Sequence, residues 1–145
     1  MKKLAIIFAA IAVLAGCQKE DSVSLVGTKW TYEFNSSTYV MEFTSKTDVR
    51  TYEADNNYNF KGSLTEGEYN YSNGKITFGE NFGVARGAMI ILYYRYYFKT
   101  ATIEGDVMKV ISSEEQIIFP IEDGEVQEPE IKNLGDYTFT LMKLK

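Results

Sequence analysis

The sequence predicts an all-β chain, an antiparallel up-and-down β-barrel of about 8–10 strands, with a β-sandwich as the open alternative. Three observations carry that reading. From Gly27 onward apolar residues recur at every second position rather than at the helical period. The residues are strand formers, with 11 Tyr and 9 Phe in 145 positions. Turn signals fall at intervals near the roughly 8–12 residues usual for sandwiches and barrels. No stretch has the pattern of a long amphipathic helix, and the length suits one domain, since single domains run to about 100–200 residues.

The elements follow in order. Trp30, Tyr32 and Phe34 alternate with Thr31 and Glu33, and Tyr39, Met41 and Phe43 alternate with Val40 and Glu42; Asn35-Ser36-Ser37 between them is a hairpin turn. Residues 49–53 make a third strand. Residues 68–72 and 75–78 flank Asn73-Gly74, a strong hairpin signal because both turn positions need positive φ. Residues 79–87, with three glycines, read as a mobile loop or a short helix at a rim. A long aromatic strand covers residues 88–100, residues 101–104 and 107–112 flank Gly105-Asp106, and residues 116–121 follow a polar turn. Residues 122–136 hold six carboxylates against one lysine, with Pro129 among them, and read as an acidic surface loop. Residues 137–144 close the chain with Tyr137, Phe139 and Leu141 on one face. A meander of this size must manage its edges, and pairing the first strand with the last removes them.

The N-terminus has a different character. Lys2 and Lys3 precede the apolar residues 4–15, then Gly16 and Cys17, which is the architecture of a secretory signal peptide. The apolar run is too short for a spanning helix, which needs roughly 20 residues. Leu14-Ala15-Gly16-Cys17 resembles the bacterial lipoprotein lipobox. That resemblance implies cleavage before Cys17 and a diacylglycerol on its thiol; a buried helix with an incidental cysteine is the alternative. The organisation expected is a lipoprotein signal peptide over 1–16, a lipidated tether over 17–24 and a barrel domain over 25–145. Removing residues 1–16 takes two of the 15 basic residues and none of the 20 acidic ones, which leaves a net charge of −7. That balance argues against nucleic acid as a partner and makes the lipid, rather than a basic face, the contact with the membrane.

Gln18-Lys19-Glu20-Asp21 resembles the charged export signal of lipoproteins of the Bacteroidota, and Asp21-Ser22-Val23 resembles an O-glycosylation motif of that phylum. Both imply the outer membrane, facing the cell surface; an ordinary solvated tether has the same polarity. Leu25-Val26-Gly27-Thr28-Lys29-Trp30 resembles the opening of lipocalin-like lipoproteins of that phylum, with one residue more between Gly and Trp than the lipocalin pattern has. The resemblance implies that Gly27 and Trp30 close one end of the barrel and that the interior takes a small apolar or amphipathic ligand.

Composition restricts the chemistry. With no histidine and one cysteine, Ser-His-Asp triads, Cys-His pairs, HExxH zinc sites, disulfide frameworks and CxxC sites are all excluded. No cofactor or metal is implied, and the chain reads as a binding protein rather than an enzyme. Tyr94, Tyr96 and Phe98 share one face of their strand and Tyr93, Arg95 and Tyr97 the other. The first set suits the wall of a ligand site. The second suits a surface for a protein or glycan partner, with a guanidinium between two phenol rings. A tightly packed sheet with a tyrosine-rich outside accounts for the same pattern. Asp55, Asn57 and Asn59 have the alternation of a calcium loop, with Glu66 at its twelfth place, yet Phe60 stands where the glycine belongs. Glu42, Glu53, Glu66 and Glu68 offer carboxylates for glycoside hydrolysis only if two of them converge in a cleft. A ligand carrier needs an interior cavity of roughly 300 Å³ or more, whereas an interaction module has a filled interior.

Overall fold

A computed structural model describes residues 24–89 and 91–145, and all side chains in those spans except those of residues 88 and 89. The signal peptide, most of the tether and Cys17 lie outside the described residues. The strands are β1 Lys29–Phe34, β2 Ser37–Phe43, β3 Asp48–Ala54, β4 Phe60–Ser72, β5 Lys75–Phe78, β6 Gly83–Met89, β7 Leu92–Glu104, β8 Val107–Ile118, β9 Ile121–Glu122, β10 Glu125–Val126 and β11 Glu130–Lys143. Eight of them, β1-β2-β3-β4-β5-β7-β8-β11, form a closed antiparallel ring. Closure rests on two joints: β5 pairs with both β4 and β7, and β1 pairs with β11 through Trp30 opposite Lys143 and Thr31 opposite Met142. The barrel reading of the sequence holds, and the sandwich alternative falls away.

Turn chemistry sets the hairpins. Asn35 and Ser36 both take positive φ between β1 and β2, and Asn73 and Gly74 do so between β4 and β5. These are the conformations whose twist matches that of the flanking strands. Gly27, at φ +80, turns the chain into β1, and its amide donates to the Phe43 carbonyl at 2.7 Å.

Among the described residues the closed end and middle of the barrel are packed with side chains. Trp30, Met41, Phe43, Ile76, Met108, Val110 and Leu141 pack the closed end with almost no exposure. Above them Tyr32, Phe98 and Phe139 meet edge to face, with ring centres 5.4–6.3 Å apart. Phe34 then reaches across to Tyr96, at 5.2 Å, joining opposite walls of the barrel. Inside this apolar stack the polar groups are satisfied: the Tyr32 hydroxyl shares a hydrogen bond with Thr51 Oγ1 at 2.7 Å, and Ser112 Oγ donates to the Tyr137 carbonyl at 3.0 Å. Burial pushes the Tyr32 phenol far above its ordinary range.

At the other end the wall divides. β1 and β11 share only the two register pairs nearest the closed end, and β4 and β6 share none among the described residues. Phe82 causes the second division. Its ring stands where a Cβ on Gly67 would be, 2.7 Å away, so it wedges between β4 and the incoming β6. Two half-sheets, β1-β2-β3-β4 and β6-β7-β8-β11, therefore flank an open mouth.

Several sequence expectations change: the long aromatic strand begins at Leu92 rather than residue 88 and runs on to Glu104 without a break. Residues 79–87 are not a loop or short helix throughout, because β6 begins at Gly83; Gly83 lets this strand lie against β7, since a Cβ there would fall 1.8 Å from the Tyr96 carbonyl oxygen. β4 begins at Phe60, eight residues before the expected strand. β8 runs unbroken to Ile118 instead of turning before Gln116. The acidic stretch 122–136 is largely sheet, with the small β9–β10 hairpin and β11 starting at Glu130. The missed parts of β4 and β11 are exposed at most positions, so no half-buried face imposes an apolar alternation there.

Candidate functional site

β7 carries the expected aromatic run, and the register shows what shares each of its faces. Directly opposed residues of paired strands point to the same side. Arg86 of β6, Tyr94 of β7, Gln116 of β8 and Lys132 of β11 thus form one transverse row on the concave side of the mouth. The row beneath is Val84, Tyr96, Glu114 and Gly135, and below it lie Phe98, Ser112 and Tyr137.

The lowest row is core. Phe98 is 2% exposed and packs against Phe78, Phe82 and Phe139, below the open part of the mouth. Tyr96 is the floor of the mouth. Its ring packs on Phe34, Tyr137 and Phe139, while its hydroxyl donates to Glu114 Oε1 at 2.9 Å. Burial first, and then the Glu114 carboxylate, push this phenol up to about 12. Tyr94 is only half-buried against the core, and its hydroxyl accepts from Gln116 Nε2 at 3.0 Å. Arg86 and Lys132 are exposed and form no ion pair among the described residues.

The opposite half-sheet contributes a second polar group. Tyr39 and Glu53 are register partners on the inner side of β2 and β3. Glu53 Oε1 accepts from Ser37 Oγ at 3.1 Å and from Lys61 Nζ at 2.9 Å. The Lys61 hydrogen bond above all, with that of Ser37, holds the Glu53 carboxyl below its ordinary range. The mouth therefore presents phenol faces, an amide, two positioned carboxylates and three cations above a closed aromatic floor. Such a surface suits a ring or chain that is partly apolar and carries hydroxyl or charged groups.

The outer face of β7 is built differently. Arg95 lies over the Tyr97 ring at 5.1 Å and donates to Glu115 Oε2 at 3.1 Å, while its Nε is buried without a partner. Tyr93 stacks on Phe119, with ring centres 5.8 Å apart. Trp30 sits at the closed end, 1% exposed, with Lys143 Nζ 5.9 Å from its ring centre and its indole N–H donating to Thr28 Oγ1.

Other residues singled out by the sequence do not assemble a site. Asp55 Oδ1 accepts the backbone amides of Asn57 and Asn59, so the loop satisfies its own carboxylate, and these bonds hold the Asp55 carboxyl low. No group of three acidic, histidine or cysteine residues that would hold a metal is present among the described residues. Glu42 is on the outside of the sheet, tied to Arg50 at 2.7 Å and Lys29 at 3.7 Å; Glu66 and Glu68 are exposed on the outside of β4; Glu53 alone of the four faces inward. The polar members of the mouth, Arg86, Glu114, Gln116 and Lys132, went unnoticed in the sequence, because only register between distant strands brings them beside Tyr94. A groove of about 750 Å³ lies at the closed end between Leu25, Thr47, Tyr69 and Tyr71, where the chain enters the domain.

No family model matches this chain, and no curated protein does. Among solved structures, one described as the crystal structure of a rhizavidin–biotin complex is similar at 13% identity, with a TM-score of 0.41, over 84% of this chain and 97% of that one.

Proposed function

We propose that this chain is a lipid-anchored binding protein of the cell envelope, tethered through Cys17 at the outer membrane, whose barrel mouth takes a small amphipathic ligand. The observation that carries the reading is the arrangement at Tyr94 and Tyr96. Two phenols line the mouth with hydroxyls fixed by Gln116 and Glu114, and the lower one, Tyr96, packs on Phe34 to form the floor across the barrel axis. Binding is therefore shallow, against the half-sheet β6-β7-β8-β11, rather than in a deep interior cavity. The chemistry is recognition, without a cofactor.

A naphthalene sulfonate dye such as ANS combines rings with one anionic group and serves as the probe. The Tyr94→Ala and Gln116→Ala chains should bind it at least about tenfold more weakly, as fluorescence titration reads, a loss of about 1.4 kcal/mol. Unchanged affinity in both removes the mouth as the site.

The filled interior also supports a second reading, in which Tyr93, Arg95 and Tyr97 form the contact face for a protein or glycan partner. The orphaned Arg95 Nε is the observation in its favour. In that case Tyr97→Ala abolishes partner capture and Tyr94→Ala leaves it intact.

A further inference from the structure

The barrel wall has a gap along one side of the mouth. Up to Gly79, whose amide donates to the Glu68 carbonyl at 2.8 Å, the chain stays paired with β4. Beyond the Phe82 wedge, β6 pairs with β7 alone, and the half of β4 from Phe60 to Gly67 pairs with β3 alone, among the described residues. Two strand edges of nearly equal length therefore face one another without hydrogen-bond partners. A groove of about 360 Å³ lies here, with Thr65 of β4 on one side, Gly83, Val84 and Ala85 of β6 on the other, and Arg95, Tyr96 and Tyr97 of β7 behind them; Arg95 is tied to Glu115.

The alternation of β6 says which groups face this seam. Phe98 N–H donates to the Phe82 carbonyl at 2.8 Å, so the register turns the amides of Val84 and Arg86 toward β7. Gly83, Ala85 and Gly87 turn theirs toward the gap. Gly83 is buried, but Ala85 and Gly87 are exposed and small, so that part of the edge is accessible, and it carries neither of the usual protections, a proline or a covering loop, among the described residues.

We propose that this seam receives an extended peptide segment of another protein, which pairs with β4 on one side and β6 on the other and completes the wall. Two facing unpaired edges recognise a backbone rather than a side chain, as in β-strand addition generally. Alternation then sets the chemistry of the occupant. Its inward residues meet Thr65, Val84 and the Phe82 ring, which favours small aliphatic side chains. Its outward residues pass Leu64 and the exposed carboxylates Glu66, Glu68 and Glu80, none of which is in an ion pair among the described residues, and these favour lysine or arginine. Val84 and Tyr96 border both this groove and the mouth, whereas Tyr94 and Gln116 do not line it, so Gln116→Ala, which weakens ligand binding at the mouth, should leave peptide binding at the seam unchanged.

The test uses the full isotope-labelled chain in detergent micelles and, as probe, a terminally blocked heptapeptide of alternating valine and lysine. Saturable binding below about 1 mM is expected. Amides of residues 60–67 and 83–87 should shift and become slower to exchange with solvent. Ala85→Pro removes one seam-facing amide without removing a bond to β7, and it should weaken binding by about tenfold or more. The same peptide with alternate backbone nitrogens methylated should fail to bind the unaltered chain, which keeps the test decisive if the proline variant does not fold. Absence of binding, shifts only elsewhere, equal binding of the methylated peptide, or self-association of the chain through residues 83–87 would overturn the proposal.

Discussion

Single residues decide where this barrel closes and where it opens. Trp30 is sealed at the closed end, so Trp30→Ala should cost about 3–5 kcal/mol in chemical denaturation, the range for truncating a buried large aromatic. A cost under about 1 kcal/mol would show that the ring does not support the fold. Gly67 and Phe82 form a matched pair, because a Cβ at residue 67 would meet the Phe82 ring at 2.7 Å. Gly67→Ala should destabilise by about 1–3 kcal/mol through overpacking, and less than that in a chain that already carries Phe82→Ala, since the obstruction is then gone. Strict additivity in that double-mutant cycle would rule out the wedge. Ser36 holds φ at +63 in the first hairpin, a conformation that strains a residue with a Cβ. Ser36→Gly should therefore raise stability by a few tenths of a kcal/mol or more, read as a higher denaturation midpoint.

At the scale of the element, β7 separates core from site within one strand. Tyr96→Ala and Phe98→Ala should each cost about 3 kcal/mol or more, whereas Tyr97→Ala on the outer face should cost about 1 kcal/mol or less. Tyr96 also gives the strand a pH signature. Its phenol is raised to about 12 in the folded chain from 10.0, so the folded state keeps a proton that the unfolded state gives up. Its contribution to stability is complete below pH 10 and is lost as pH rises through about 12. Tyr96→Phe should flatten that part of the alkaline stability curve, and an unchanged curve would show that Tyr96 does not shape it.

The same strand shows what the sequence made legible. The alternation of Tyr94, Tyr96 and Phe98 against Tyr93, Arg95 and Tyr97 could be read directly, because one face had to pack against the core. How deep each residue lies could not, since depth depends on where the opposite wall, here Phe34, reaches across. The start of β4 and the first half of β11 were illegible for a related reason: exposed strands held by backbone pairing carry no periodic apolar signature. The acidic run that leads into and through the start of β11 then resembles a loop by composition alone.

In the whole molecule the two ends have different roles. The chain enters the domain at the closed end, where Leu25 is buried and the Gly27 amide bonds to Phe43. A lipid on Cys17 would place that end toward the bilayer, with the mouth on the far side of a tether only a few residues long. Cys17→Ser should release the chain from membranes without altering its denaturation midpoint; membrane retention with unchanged mass would exclude the anchor. The central claim is that recognition takes place at the mouth above a filled interior. Chemical-shift mapping of ANS on the labelled chain from residue 17, carrying Cys17→Ser, tests it most directly. The account predicts saturable shifts at Arg86, Tyr94, Tyr96, Glu114, Gln116 and Lys132, with Trp30, Met108 and Leu141 unmoved. Shifts centred on Trp30, Met108 and Leu141, or confined to Tyr93, Arg95 and Tyr97, would contradict it.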